Sequence, residues 1–204
     1  MAFQVTIFSD YICPFCFVGK GVFQQLQQEF PIEATWRNIE IHPETPVGGI
    51  ALADKFPGMD LQATFDNLRR AGAPYGIQFG QVDRMPNSRL AIAASEFARD
   101  HGSFEAFHAR VFAAYFTEGR DIGELDVLLD IAREIGLDVE ALKAALATNA
   151  YQERMQAAQE EAYRSGVSGT PTFLINGKYR LVGAQPIESF RNALKRIEEE
   201  ASRG

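Results

Sequence analysis

Residues 10–19 read DYICPFCFVG and hold both cysteines of the 204-residue chain, Cys13 and Cys16, separated only by Pro14 and Phe15. The segment before them, FQVTIF at 3–8, mixes β-branched and aromatic residues and stops at Ser9 and Asp10, the pattern of a buried strand. After them, Phe17, Val18, Val22, Phe23 and Leu26 recur at helical spacing from Pro14 to about Gln28. Pro14 suits the first position of that helix. Gly19 and Gly21 oppose it, by roughly 1 kcal/mol each. The cysteine pair therefore sits where a strand ends and a helix begins.

That location has chemical consequences. A sulfur at the start of a helix faces unsatisfied backbone N–H groups and the positive end of the helix dipole, which favour thiolate over thiol. A residue three positions on shares its side of the first turn, so Cys16 lies within reach of a reversible disulfide with Cys13. Cys13 would attack a substrate disulfide and Cys16 would then displace it. Zinc uses the same spacing, but a structural site takes four ligands and the chain has no second cysteine pair. Its histidines, His42, His101 and His108, read as surface or interface residues, and no metal is expected. Two ordinary half-buried cysteines form the remaining alternative.

Outward from this unit, IEATWRNIEI at 32–41 reads as a second strand. TFLINGKYRLV at 172–182 places Asn176-Gly177 between two strand-like runs, the signal of a type I′ hairpin. A last helix starts at Pro186 and shows Ile187, Phe190, Leu194 and Ile197 on one face. The region from about 45 to 165 reads as helical throughout. Asp60 caps a helix to Gly72, Asn87 or Ser88 one to Gly102, and Ser103 a stretch bearing Phe104, Phe107, Val111, Phe112 and Tyr115. Asp138 caps VEALKAAL, and a further helix runs from about 151 to Gly166. ETPVGGI at 44–50 reads as a hinge or linker.

A formal charge of -7 repels phosphate backbones and anionic lipid surfaces, so neither nucleic acid nor a membrane is expected as a partner. No run approaches the roughly 18 apolar residues of a spanning helix. MAFQVTIFSDY lacks the features of a secretory signal, which predicts a cytoplasmic protein. In a reducing compartment paired cysteines are catalytic or metal-binding more often than structural.

VSGTPTFLINGKYRLVG at 167–183, taken with CPFC, resembles the thioredoxin superfamily, and within it the DsbA-like group. WRNIEIHPETP at 36–46 and MPNSRLA at 85–91 look like its FrnE-like branch, described as cytoplasmic oxidoreductases or thiol isomerases. The resemblance implies an α/β thioredoxin fold with a large all-helical insertion domain. Residues 1–45 and 166–204 would form the thioredoxin-like domain and 46–165 the insertion. It further implies that Gly169, Thr170 and Pro171 are a substrate-binding loop with a cis bond before Pro171, packed against Cys13 and Cys16. Pro14 and Phe15 would be the active-site dipeptide, with Phe15 where DsbA carries a histidine, so that Cys13 is activated less strongly. Trp36, His42 and Asn87 read as packing or capping residues, and Asp10 as a polar strand end.

The expected activity is thiol–disulfide exchange on protein or small-molecule thiols and disulfides, with no bound cofactor and with glutathione as a possible redox partner. Two alternatives stand beside it. One is a glutathione-dependent isomerase or transferase similar to 2-hydroxychromene-2-carboxylate isomerase and the kappa transferases, which typically carry serine where this chain has Cys13. The other is a chaperone-like binding module.

Overall fold

The computed structural model describes residues 2–203, so the ends of the two outer segments, Met1 and Gly204, lie outside it. The chain begins with strand β1 (Phe3–Ser9), helix α1 (Pro14–Glu29) and strand β2 (Ile32–Asn38). After a long excursion it closes with β5 (Thr172–Ile175), β6 (Tyr179–Val182) and α9 (Ile187–Arg203). The four long strands form one sheet of order β2-β1-β5-β6, parallel between β1 and β2 and antiparallel elsewhere. This is the thioredoxin-like frame that the motif order predicts. At the β5–β6 turn Asn176 and Gly177 have φ of 51° and 67°, the paired positive values of a type I′ hairpin.

Alternation along the strands decides which helices cover which face. Val5, Ile7 and Phe173 point into the main core, where Phe23 of α1 stacks on Phe173 at 5.7 Å and Phe190 of α9 meets it edge-on at 4.8 Å. Phe8 faces the other way, into a smaller cluster with Ile39 and Ala162. Ala162 belongs to α8 (Gln152–Arg164), which covers that second face.

Between β2 and β5 lie α2 (Leu52–Lys55), α3 (Leu61–Gly72), α4 (Arg89–Asp100), α5 (Phe104–Phe116), α6 (Leu125–Glu134), α7 (Val139–Ala147) and α8. Asp60 and Asp138 cap α3 and α7, accepting from Ala63 N at 2.9 Å and Ala141 N at 3.0 Å. Three expectations need correction. Ser103 and Ser88 stand at the N-cap positions of α5 and α4 but make no side-chain cap bond; Asn87 instead accepts from Arg89 N at 3.0 Å. The second strand ends at Asn38 rather than 41, because Ile39 N donates to Ser9 O and the chain turns away with Ile41 N bound to Asp10. The middle region is also not purely helical: β3 (Ile50–Ala51) and β4 (Arg84–Met85) form a small antiparallel pair.

That pair anchors the 44–50 segment. Gly49, at φ 69°, has no room for a side chain, since a Cβ there would lie 2.6 Å from Met85 O. Asn87 Nδ2 donates to Thr45 O at 2.6 Å. These contacts tie the connection to the helical region.

Candidate active site

Cys13 is the N-cap residue of α1, with φ -88° and ψ 111°, and Pro14 occupies the first helical turn. Its thiol donates to Thr170 O at 3.3 Å, across 157 residues of sequence. The Thr170-Pro171 bond is cis, and the loop Gly169–Thr170–Pro171 closes on the start of α1. This close approach explains the glycine that weakens α1: a Cβ at Gly19 would meet Pro171 Cγ at 3.0 Å. Gly21 similarly admits Tyr75 and Ile77, either of which would clash with a Cβ at under 3.0 Å. Propensity is traded there for packing.

Both thiols are free, and Cys13 is 5% exposed whereas Cys16 is wholly buried. Phe15 beside them is 50% exposed. The two sulfurs differ in electrostatics. Cys13 is held below its ordinary thiol pKa, chiefly because the Cys16 thiol donates to its sulfur; burial opposes this, while the Thr170 side chain and the Cys16 backbone N–H assist. Cys16 is pushed well above its ordinary value, first by burial and then by its bond and charge interaction with Cys13. The Thr170 carbonyl favours the neutral thiol, since it can only accept. The Thr170 hydroxyl oxygen is buried beside it and makes no hydrogen bond.

Asp10 is more than a strand end. It is wholly buried; its carboxylate accepts from Ile12 N at 3.3 Å and Ile41 N at 2.8 Å. Burial pushes its pKa up to about 6, against the opposing bonds from Ile41, Ser88 and Ile12. Its charge in turn raises Cys13. Because the folded pKa lies above the unfolded one, the folded state binds the extra proton. The stability that this group contributes is therefore full below pH 4 and is lost as pH rises through 6, about 3 kcal/mol at 1.36 kcal/mol per unit. Asp10→Asn is expected to flatten that fall; denaturant titrations at pH 4.5 and 8 would check it, and an unchanged difference between the two pH values would count against the assignment.

Behind the loop, Asn38 Nδ2 donates to the Tyr11 hydroxyl at 3.1 Å, and His108 Nδ1 is hydrogen-bonded to the same hydroxyl at 2.9 Å. His108 is completely buried, correcting its reading as a surface or interface residue. Burial, and then the charges of Lys20 and Arg99, hold it well below its ordinary pKa and therefore neutral. Trp36 packs on it with ring centroids 4.5 Å apart, in the packing role expected of that residue. His42 pairs with Glu44 at 3.0 Å, and His101 stacks on Phe97. No cluster of three or more potential metal ligands occurs among the described residues.

A cavity of about 600 Å³ opens beside Cys13, Phe15 and Thr170. Its far wall comes from α2, α3, β4 and α5, including Leu52, Phe65 and Met85. No local signal in the sequence marks these residues as neighbours of the cysteines; their helical spacing predicts only burial. No described helix is long and apolar enough to cross a membrane.

A cysteine pair at a helix start, facing a cis-proline loop within a four-stranded sheet, defines the thioredoxin-fold thiol proteins as a class. The chain belongs to the DSBA-like thioredoxin domain family, whose model matches residues 4–195. It is 31% identical to the Bacillus subtilis protein YwbO over 95% of this chain and 96% of that one. A crystal structure of a probable DsbA oxidoreductase from Streptomyces coelicolor superimposes with a TM-score of 0.89 at 30% identity, covering 97% of this chain and 91% of that one. The 2-hydroxychromene-2-carboxylate isomerase of Sphingobium xenophagum is 24% identical over 86% of this chain and 90% of its own.

Proposed function

We propose that the protein is a cytoplasmic thiol–disulfide oxidoreductase or isomerase in which Cys13 is the nucleophile and Cys16 the resolving thiol. The observation carrying this reading is the position of Cys13: at the α1 N-cap, 3.3 Å from Thr170 O, with its pKa lowered while that of Cys16 is raised. The Cys13 thiolate attacks a substrate disulfide and forms a mixed disulfide; one substrate thiolate leaves. Cys16, relieved of its thiolate neighbour, then gives its proton to solvent or to Asp10 and attacks Cys13 sulfur, releasing the second thiol. Glutathione or a similar thiol reduces the resulting Cys13–Cys16 disulfide.

Pro14 and Phe15 form the dipeptide between the two sulfurs, and the exposed Phe15 ring offers an apolar contact. Gly169, Thr170 and Pro171 hold the substrate, the Thr170 backbone pairing with it once the carbonyl is released by Cys13 ionisation. No bound cofactor enters these steps. The Cys16→Ser variant tests the assignment: with a disulfide substrate it is expected to accumulate a covalent adduct on Cys13, seen by mass spectrometry of the intact protein and of its peptides. An adduct on neither residue, or turnover at the wild-type rate, would refute it.

The cavity beside Cys13 favours a second reading, a glutathione-dependent isomerase acting on a small ligand. Such a reaction passes through no Cys13–Cys16 disulfide, so it would survive Cys16→Ser.

A further inference from the structure

The exchange steps use the cysteines and the proline loop but leave one feature without a role, the cavity that meets them. It measures about 600 Å³, within the range of sites that take small molecules. Leu52, Phe65, Leu68, Met85 and Phe116 on its far side are part of the main hydrophobic core. These residues come from the inserted helices and β4, so the wall is fixed by the packing of that region and is not a loose surface groove. Polar groups are few. Glu40, one of them, is already paired with Arg89 at 3.1 Å, and His42 is engaged by Glu44.

Cys13, at 5% exposure, borders this cavity, and Cys16 has no exposure at all. A substrate sulfur must therefore enter beside an apolar wall to reach the nucleophile. A cystine within a folded polypeptide carries backbone on both sides of each half and needs a wide approach. A small disulfide with one apolar arm needs only the cavity. The chain's formal charge of -7 disfavours anionic arms, and among the described residues no lysine or arginine lines the cavity to pair with one.

We propose that the cavity is a substrate subsite selecting low-molecular-weight disulfides that carry a bulky, uncharged apolar group on the sulfur attacked by Cys13. The inference rests on the exchange reaction proposed above and adds its substrate class. For a disulfide R–S–S–R′ with R in the cavity, the Cys13–S–R bond forms as S–S breaks, and R′–S⁻ leaves to take a proton from solvent. Cys16 then displaces R–S⁻ and forms the Cys13–Cys16 bond. Two electrons have passed to the substrate; two molecules of a low-molecular-weight thiol such as glutathione restore the enzyme and become one disulfide.

The test compares kcat/KM for benzyl 2-hydroxyethyl disulfide and bis(2-hydroxyethyl) disulfide, with glutathione as reductant. The benzyl compound is expected to be favoured by about 10²-fold, the order of discrimination reached by apolar pockets. Met59→Glu and Leu61→Ser, which alter the lining residues at the start of α3, are expected to reduce that ratio about tenfold. The ratio is insensitive to partial unfolding, which lowers both rates alike. Equal kcat/KM for the two disulfides, a ratio unmoved by both variants, or faster reduction of insulin than of the benzyl compound would each overturn the subsite. Failure to turn over any disulfide, with Cys13 unmodified, would instead refute the exchange reaction itself.

Discussion

Replacing Cys13 with serine is expected to reduce disulfide turnover by about 10⁴-fold or more, the scale seen when an essential nucleophile is removed. The hydroxyl is almost wholly protonated near neutral pH and cannot form the mixed disulfide. The fold should not suffer. Cys13 occupies an N-cap with extended backbone angles and makes no side-chain cap bond, and serine is a favoured residue at such positions. Thermal or denaturant midpoints equal to or above the wild type, combined with lost turnover, would separate catalysis from folding. A variant keeping more than a tenth of the activity would contradict the role. If the protein were instead a holdase, Cys13→Ser would leave suppression of aggregation intact, so both assays belong together.

The second large effect concerns the joint between the cysteine loop and the inserted helices. Phe112 of α5 is completely buried. Its ring lies 5.1 Å from Tyr11, 5.5 Å from Phe17 in a stacked pair and 5.0 Å from His108. Phe112→Ala removes a side chain that touches the loop before Cys13, the first turn of α1 and its own helix at once. Losses of about 3–5 kcal/mol accompany such truncations, and the aromatic pairs add to the area term. Against a total stability of about 5–15 kcal/mol, that is a large share. Urea titration is expected to show an unfolding free energy lowered by that amount, through a lower midpoint with little change in slope. A loss under about 1 kcal/mol would mean that the loop and the helices are held together elsewhere.

The parts of this structure written in local chemistry are legible in the sequence. Asp60 and Asp138 announce helix starts because a carboxylate at an N-cap acts on residues two or three away. Asn176-Gly177 announces a hairpin because the turn itself requires their positive φ. CPFC is legible for the same reason, and the strand and helix around it locate the sulfur at an N-cap. Other parts are written in tertiary contacts. The α6 helix starts at Leu125, and its N-cap residue Glu124 makes no side-chain cap bond, so its boundary carries no signal. The β3–β4 pair is two residues long on each strand and has no period to detect. His108 becomes a core residue only because Tyr11, 97 residues away, supplies its partner. Asp10 acquires its raised pKa from burial, against the opposing bonds from Ile41, Ser88 and Ile12; as a polar residue at the end of a strand it is indistinguishable from an ordinary turn former. The glycines of α1 show the converse case, in which a poor helix former is required by neighbours from distant segments.

The central claim is that the two thiols of the reduced protein differ, Cys13 ionising readily and Cys16 resisting. Thiolate ultraviolet absorbance followed against pH tests it most directly, on the wild type, Cys13→Ser, Cys16→Ser and Phe15→His. The account predicts one thiolate forming below the ordinary thiol pKa in the wild type, lost in Cys13→Ser, kept in Cys16→Ser where a hydroxyl can still donate, and shifted lower in Phe15→His. Two thiols ionising together at or above the ordinary value, or the low-pKa thiolate persisting in Cys13→Ser, would contradict it.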